Sequence, residues 1–210
     1  MAGLKEIKGY DDFVVNICVD DTEGEVMLLA DILIQLPKVP EDSEILFNDL
    51  PKEKQHWRRQ EMPGDLARIR SMDEWSEQPK EFRSRYTTYI EREFKRRREG
   101  VWFYNNGVPT YITGRHYMLL QWSRMDIGYA SYLEFQRRLF LHFAACEADP
   151  RCLGQVYTKC RRSGYTNISG AILTDEGTQV SNKILGMMSK TGKDAQENIF
   201  MKKVLPMFRS

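Results

Sequence analysis

Leu153-Gly154-Gln155-Val156-Tyr157-Thr158-Lys159-Cys160-Arg161-Arg162-Ser163-Gly164-Tyr165-Thr166 and the fourteen residues after it decide how this chain is read. Leu153 to Thr158 has the character of a strand, Lys159 to Thr166 of a polar loop, and Asn167 to about Val180 of a helix. Ile184 to Met188 then reads as a second strand and Asp194 to Phe208 as a second helix. A strand that enters a helix through a short polar turn, with another strand after a crossover, is the unit from which parallel nucleotide-binding sheets are built.

The loop has the length and end points of the phosphate-binding pattern G-x-x-x-x-G-K-[ST]: Gly164 holds the second glycine position and Thr166 the final hydroxyl. Two positions depart from it, since Lys159 stands at the first glycine and Tyr165 at the lysine. The exchange is physically workable. Such a loop wraps one anion and brings its two ends close to it, so an ammonium reaches the phosphate from either end. Gly164 would let the backbone approach, the amides opening the helix would donate to phosphate oxygens, and Thr166 would ligate Mg²⁺. Arg161 or Arg162 would put a guanidinium on the γ-phosphate. The expected fold class is therefore α/β, an incomplete phosphate-loop NTPase unit with parallel β-α-β connectivity, over residues 151–210.

Upstream, residues 80–150 read as a helix, an aromatic hairpin and a further helix. Phe82, Tyr86, Ile90 and Phe94 recur every four residues up to Lys95-Arg96-Arg97-Arg98, a run that complements the helix dipole and is expected to be a solvated face. Val101-Trp102-Phe103-Tyr104 and Tyr111-Ile112-Thr113 flank Asn105-Asn106-Gly107, a hairpin signal. Ser131 and Glu134 have capping-box spacing ahead of the apolar stripe Tyr132, Phe135, Leu139, Phe140 and Phe143. Residues 1–79, punctuated by Pro37, Pro40, Pro51, Pro63 and Pro79, read as an irregular, loop-rich acidic arm, with Val14 to Val19 as an edge strand before Asp20-Asp21.

Charge is unevenly placed. Residues 1–50 hold 3 basic and 12 acidic side chains, whereas the remainder holds 28 and 18, so a net charge of +1 conceals an acidic leader and a basic body. A basic body suits a polyanion such as a nucleotide or nucleic acid. No apolar run approaches the roughly 20 residues of a membrane span, the N-terminus lacks a secretory pattern, and no membrane partner is expected. Cys18, Cys146, Cys152 and Cys160 lack zinc spacing and read as free thiols, and His56, His116 and His142 are scattered.

Trp102-Phe103-Tyr104-Asn105-Asn106-Gly107-Val108-Pro109-Thr110-Tyr111-Ile112-Thr113-Gly114-Arg115-His116-Tyr117, followed by the K-x-R-R-x-G-Y-T loop, resembles the N-terminal ATPase region of large terminase subunits, the genome-packaging motors of tailed bacteriophages, crAss-like phages in particular. The resemblance runs from about Gly100 to Lys203. It implies that Lys159, Ser163, Gly164, Tyr165 and Thr166 bind ATP, that Thr166 holds Mg²⁺, and that Arg162, or next Arg161, is the cis-acting catalytic arginine. Tyr117 and Gln121 would lie near the adenine, although core packing explains a tyrosine there equally well. It further implies double-stranded DNA, a portal protein and a small terminase subunit as partners, a homo-oligomeric ring in the complete motor, and a place in the host cytoplasm at the procapsid portal vertex.

The family also needs an apolar strand ending in Asp-Glu. Ile172-Leu173-Thr174-Asp175-Glu176 has those letters but starts six residues after Thr166, inside the helix the loop opens. The chain is thus expected to stop before the catalytic carboxylate and the nuclease domain, and to hydrolyse ATP weakly by itself. Two alternatives use the same loop: another nucleic-acid-dependent phosphate-loop ATPase such as a helicase, or a non-enzymatic scaffold whose Lys159, Arg161 and Arg162 contact the phosphates of a polymer.

Overall fold

The computed structural model describes residues 3–8, 14–19, 26–29, 32–125, 128–150, 152, 154–157, 164–180 and 182–208. They belong to two compact units that interleave along the chain. The first takes residues 1–57, 101–113 and 132–163, and the second takes 58–100, 114–131 and 164–210.

The first unit contains three antiparallel hairpins. β1 (Gly3–Lys8) pairs with β2 (Val14–Val19), from Gly3 opposite Val19 to Lys8 opposite Val14. β3 (Val26–Leu29) pairs with β4 (Ile32–Gln35). The arm expected to be irregular therefore carries two hairpins, and Val14 to Val19 forms the strand its alternation suggests. β5 (Val101–Asn105) pairs with β6 (Val108–Ile112) across Asn106 and Gly107, whose φ angles of 51° and 84° make the two-residue turn announced by the Asn-Gly pair. The pleat places Val101, Phe103, Thr110 and Ile112 on the buried face, while Trp102 and Tyr111 stack across the other with ring centroids 5.5 Å apart.

Phe103, fully buried, is the centre of an aromatic cluster: Trp57, Phe47 and Tyr132 lie edge-on to it at 5.4, 6.4 and 5.2 Å. Leu46 joins the β5 backbone through a single parallel bridge, its N–H donating to Trp102 O and its carbonyl accepting from Tyr104. Helix α4 (Glu134–Ala148) sets Leu141 against Ile34 and Leu36, and Arg137 donates to the Tyr111 carbonyl at 2.7 Å.

The expected capping box at Ser131 and Glu134 does not form. The helix begins at Glu134 itself, after Leu133, so the carboxylate stands too early to reach back to a cap and instead accepts from the Tyr132 hydroxyl at 2.5 Å and from Arg137. Burial alone would raise the Glu134 carboxyl, but these partners outweigh it and hold it below its ordinary value. Cys146 and Cys152 are free thiols, as read.

The second unit is helical. Ser71 caps the short α1 (Met72–Glu77) by accepting from Glu74 N. α2 (Lys80–Glu99) follows, and its periodic aromatics pack as expected, Phe82 against Tyr86 at 4.9 Å and against Trp75 at 6.3 Å. α3 (Gly114–Gln121) starts so close to the end of α2 that a Cβ on Gly114 would collide with the Arg97 carbonyl oxygen. A two-residue ladder, β7 (Arg124–Met125) with β8 (Gly128–Tyr129), precedes α5 (Tyr165–Gln179). At the end, α6 (Gly192–Asp194), capped by Thr191, runs directly into a π-helical stretch π1 (Ala195–Val204) and then α7 (Leu205–Phe208).

Both helices expected after the loop are present, but the two parallel strands are not. Residues 154–157 and 183–189 are irregular, and all sheet pairing among the described strands is antiparallel. Val156, Ile184 and Met188 are each more than nine-tenths exposed, so the apolar side chains that suggested strands have no sheet to enter. The fold is mixed α and β, with helices and small antiparallel sheets, and a parallel β-α-β unit is not among its described elements.

Candidate nucleotide site

α5 opens where the loop reading ends. Gly164 takes φ 75°, ψ 4°, a left-handed conformation that glycine adopts without penalty, and its carbonyl accepts from Asn167 at 2.9 Å and Ile168 at 3.3 Å. Nothing lies within 4 Å of the place where its Cβ would stand, leaving the backbone open to a ligand. Tyr165 is half-buried, and Thr166, the second residue of the helix, is exposed. Lys159, Arg161, Arg162 and Ser163 lie outside the described residues.

Tyr117 and Gln121 both lie on α3 and both are enclosed. Tyr117 is fully buried, its hydroxyl donating to Glu93, and burial first, then that carboxylate, pushes the phenol far above its ordinary value. Gln121 is 1% exposed. Its amide accepts from Gln60 N at 3.0 Å and donates to Gln60 O at 2.6 Å, and its own carbonyl accepts from Arg59 at 3.0 Å. Both therefore have partners within the helical unit, the core role anticipated for the tyrosine.

The basic run at the end of α2 divides in two. Lys95 and Arg98 are exposed, as a solvated face requires, but Arg96 and Arg97 turn inward. Arg96 donates to Glu93 and to Gln60, both at 2.9 Å. Arg97 reaches Asp175 of α5, Nε at 3.1 Å and Nη2 at 2.8 Å to the same oxygen, and Nη2 also donates to Thr178 at 2.5 Å. The solvated-face expectation fails at these two positions because buried carboxylates need a counter-charge.

Those carboxylates include the Asp-Glu pair whose letters suggested a catalytic motif. The structure places Ile172 to Glu176 inside α5, as the spacing required. Asp175 is 1% exposed; Arg97 occupies one of its oxygens and Gln179 the other at 2.8 Å. Glu176 is held by Arg115 on one oxygen and Lys183 on the other. Sequence reading missed this network. The signal available was a basic residue in each of three separate segments and adjacent carboxylates on one helix, but nothing in their spacing pairs them.

The helical unit also encloses a cavity of about 520 Å³, walled by Met62, Leu66, Trp75, Phe94, Met118 and Met207 among others. Among the described residues no group of histidine, cysteine, aspartate and glutamate side chains could hold a metal, and no helix is long and apolar enough to cross a membrane. The chain matches no family model, curated protein or solved structure.

Proposed function

We propose that this chain is the N-terminal ATPase part of a phage large terminase subunit, binding ATP with Mg²⁺ in the service of packaging double-stranded DNA into a procapsid. The observation that carries the reading is the left-handed Gly164 opening a fifteen-residue helix with Thr166 exposed on its first turn, within a sequence K-x-R-R-x-G-Y-T. A glycine at this point lets phosphate approach helix amides that carry a partial positive charge. A magnesium ion of this kind takes its ligands from phosphates, waters and one hydroxyl, so the single exposed threonine fits it without an acidic cage. Lys159 is the proposed phosphate ligand and Arg162 the proposed γ-phosphate arginine. The portal, the small subunit and a ring of copies belong to the same proposal.

Asp175 and Glu176 are occupied by Arg97, Arg115 and Lys183, which supports the expectation that this stretch by itself turns ATP over near background. The test is titration of the full chain with MgATP, beside Lys159→Ala and Gly164→Val. Saturable binding that both substitutions abolish is the expected result. Binding to duplex DNA with no nucleotide binding, and a salt slope lowered by about one unit in Lys159→Ala, would replace the reading with a polymer contact.

A further inference from the structure

α5 joins two kinds of chemistry. Gly164 and Thr166 stand at its N-terminal end, and Asp175 and Glu176 are carried about three turns further on, roughly 16 Å along the axis. Every oxygen of those two carboxylates has a donor. Arg97 comes from the last turn of α2, Arg115 from the first turn of α3, and Gln179 and Lys183 from α5 and the chain just after it. The two helices that send the arginines are themselves locked end to end, because Gly114 sits against the Arg97 carbonyl with no room for a side chain.

The rest of α5 is held differently. Ile168 and Ala171 are buried by apolar packing, and the backbone at Gly170 lies where a Cβ would be only 3.5 Å from Lys203. Apolar packing is non-directional and permits a helix to slide or tilt by small amounts, whereas charge-assisted hydrogen bonds fix donor and acceptor in angle and distance. The directional contacts are therefore concentrated at the end remote from the loop. We propose that Arg97 and Arg115, by gripping Asp175 and Glu176, are positioning residues for the phosphate loop: they set the seat of α5 and so the place at which Gly164 and Thr166 meet the β-phosphate.

The lever makes this consequential. A tilt of about 5° about the clamp displaces the Gly164 end by roughly 1.4 Å, given the helix rise, and a misplacement of about 1 Å at a reacting or binding centre is enough to cost on the order of a hundredfold. The proposal rests on the phosphate-loop reading above, and it predicts a selective effect. Only ligands with a β-phosphate should register the movement, because AMP does not extend to the loop's glycine.

The experiment compares MgADP and AMP affinities in the full chain for wild type, Asp175→Asn and Glu176→Gln, with helicity verified at the assay temperature. The expected result is a wild-type preference for MgADP that shrinks by roughly tenfold in either variant while AMP affinity is unchanged. A merely structural role would weaken both ligands in the same proportion, and that outcome, or an unchanged preference in folded variants, overturns the proposal. Should Asp175→Asn fail to fold, Glu176→Gln carries the comparison. Amide exchange on the wild type is independent of either variant: MgADP should slow exchange as far as residues 172–180, and protection confined to residues 164–170 overturns the proposal. Lys159→Ala separates the two readings. If it leaves MgADP binding intact, the phosphate-loop reading fails and the proposal falls with it.

Discussion

The two units solve the same problem with different forces. Around Phe103 the first unit assembles rings edge to edge, with Trp57, Phe47 and Tyr132 contributing area and a weak electrostatic preference for that geometry. The second unit buries Glu93 and Asp175 and answers them with Arg96 and Arg97 from a single turn of α2. An aromatic cluster tolerates the loss of one ring by a graded amount. A buried ion pair behaves otherwise, because removing one partner leaves the other charged and dehydrated. The first arrangement should be stable across wide ranges of salt and pH, while the second ties the positions of three helices to one another.

The chain's four tryptophans allow the comparison to be tested directly, since Trp57 and Trp102 report on the first unit and Trp75 and Trp122 on the second. The largest effect expected is from Phe103→Ala, a loss of about 4 kcal/mol in denaturant unfolding followed through Trp57 and Trp102. A cost below half of this would show that the ring cluster is not the centre of that unit. Asp175→Ala should cost about 3 kcal/mol in the signal from Trp75 and Trp122, and adding Arg97→Met should recover much of it. A double variant no better than the single one would mean that shape, not orphaned charge, sets the cost.

Tyr117→Phe is next, with a loss of about 1.5 kcal/mol at neutral pH for a hydrogen bond to a carboxylate. Its pH dependence has a definite sign. The folded phenol is raised, by burial and then by Glu93, so the stability it supplies is fully present below the unfolded value of about 10 and is lost as pH climbs beyond it. In Tyr117→Phe the alkaline fall seen through Trp75 and Trp122 should flatten. The fall seen through Trp57 and Trp102 should persist, because burial and then Glu134 likewise raise Tyr132 in the first unit. The smallest effect is from Gly107→Ala, about 1 kcal/mol for a side chain at a left-handed turn position, read in the first unit alone.

Local signals in the sequence read well. Asn106-Gly107 demanded a tight turn and made one, the four-residue spacing of Phe82, Tyr86, Ile90 and Phe94 gave α2, and Gly164 stands where the loop pattern needs a glycine. Features that depend on distant partners did not read well. Leu153 to Thr158 and Ile184 to Met188 have strand composition, but a strand exists only when another backbone pairs with it. Arg96 and Arg97 looked like solvent-facing charge because Gln60 and Asp175, the groups that draw them inward, lie 36 and 78 residues away. The interleaving of the units, at Trp57, Gly100, Thr113, Ser131 and Ser163, leaves no mark in composition at all.

The π-helical stretch Ala195–Val204 has a consequence for how this chain can change over time. A wide turn accommodates one more residue per hydrogen-bonded ring than an α turn, so a single-residue deletion there could be absorbed by rewinding instead of by breaking the helix. Such a deletion would turn everything after it by about 100° around the axis, the angle of one residue in an α-helix. Met207, now 3% exposed and part of the cavity wall, would swing off its present face. The spare residue therefore acts as a register pin, and a deletion in this stretch, harmless to the helix itself, would be read out as a change in what the neighbouring cavity can hold.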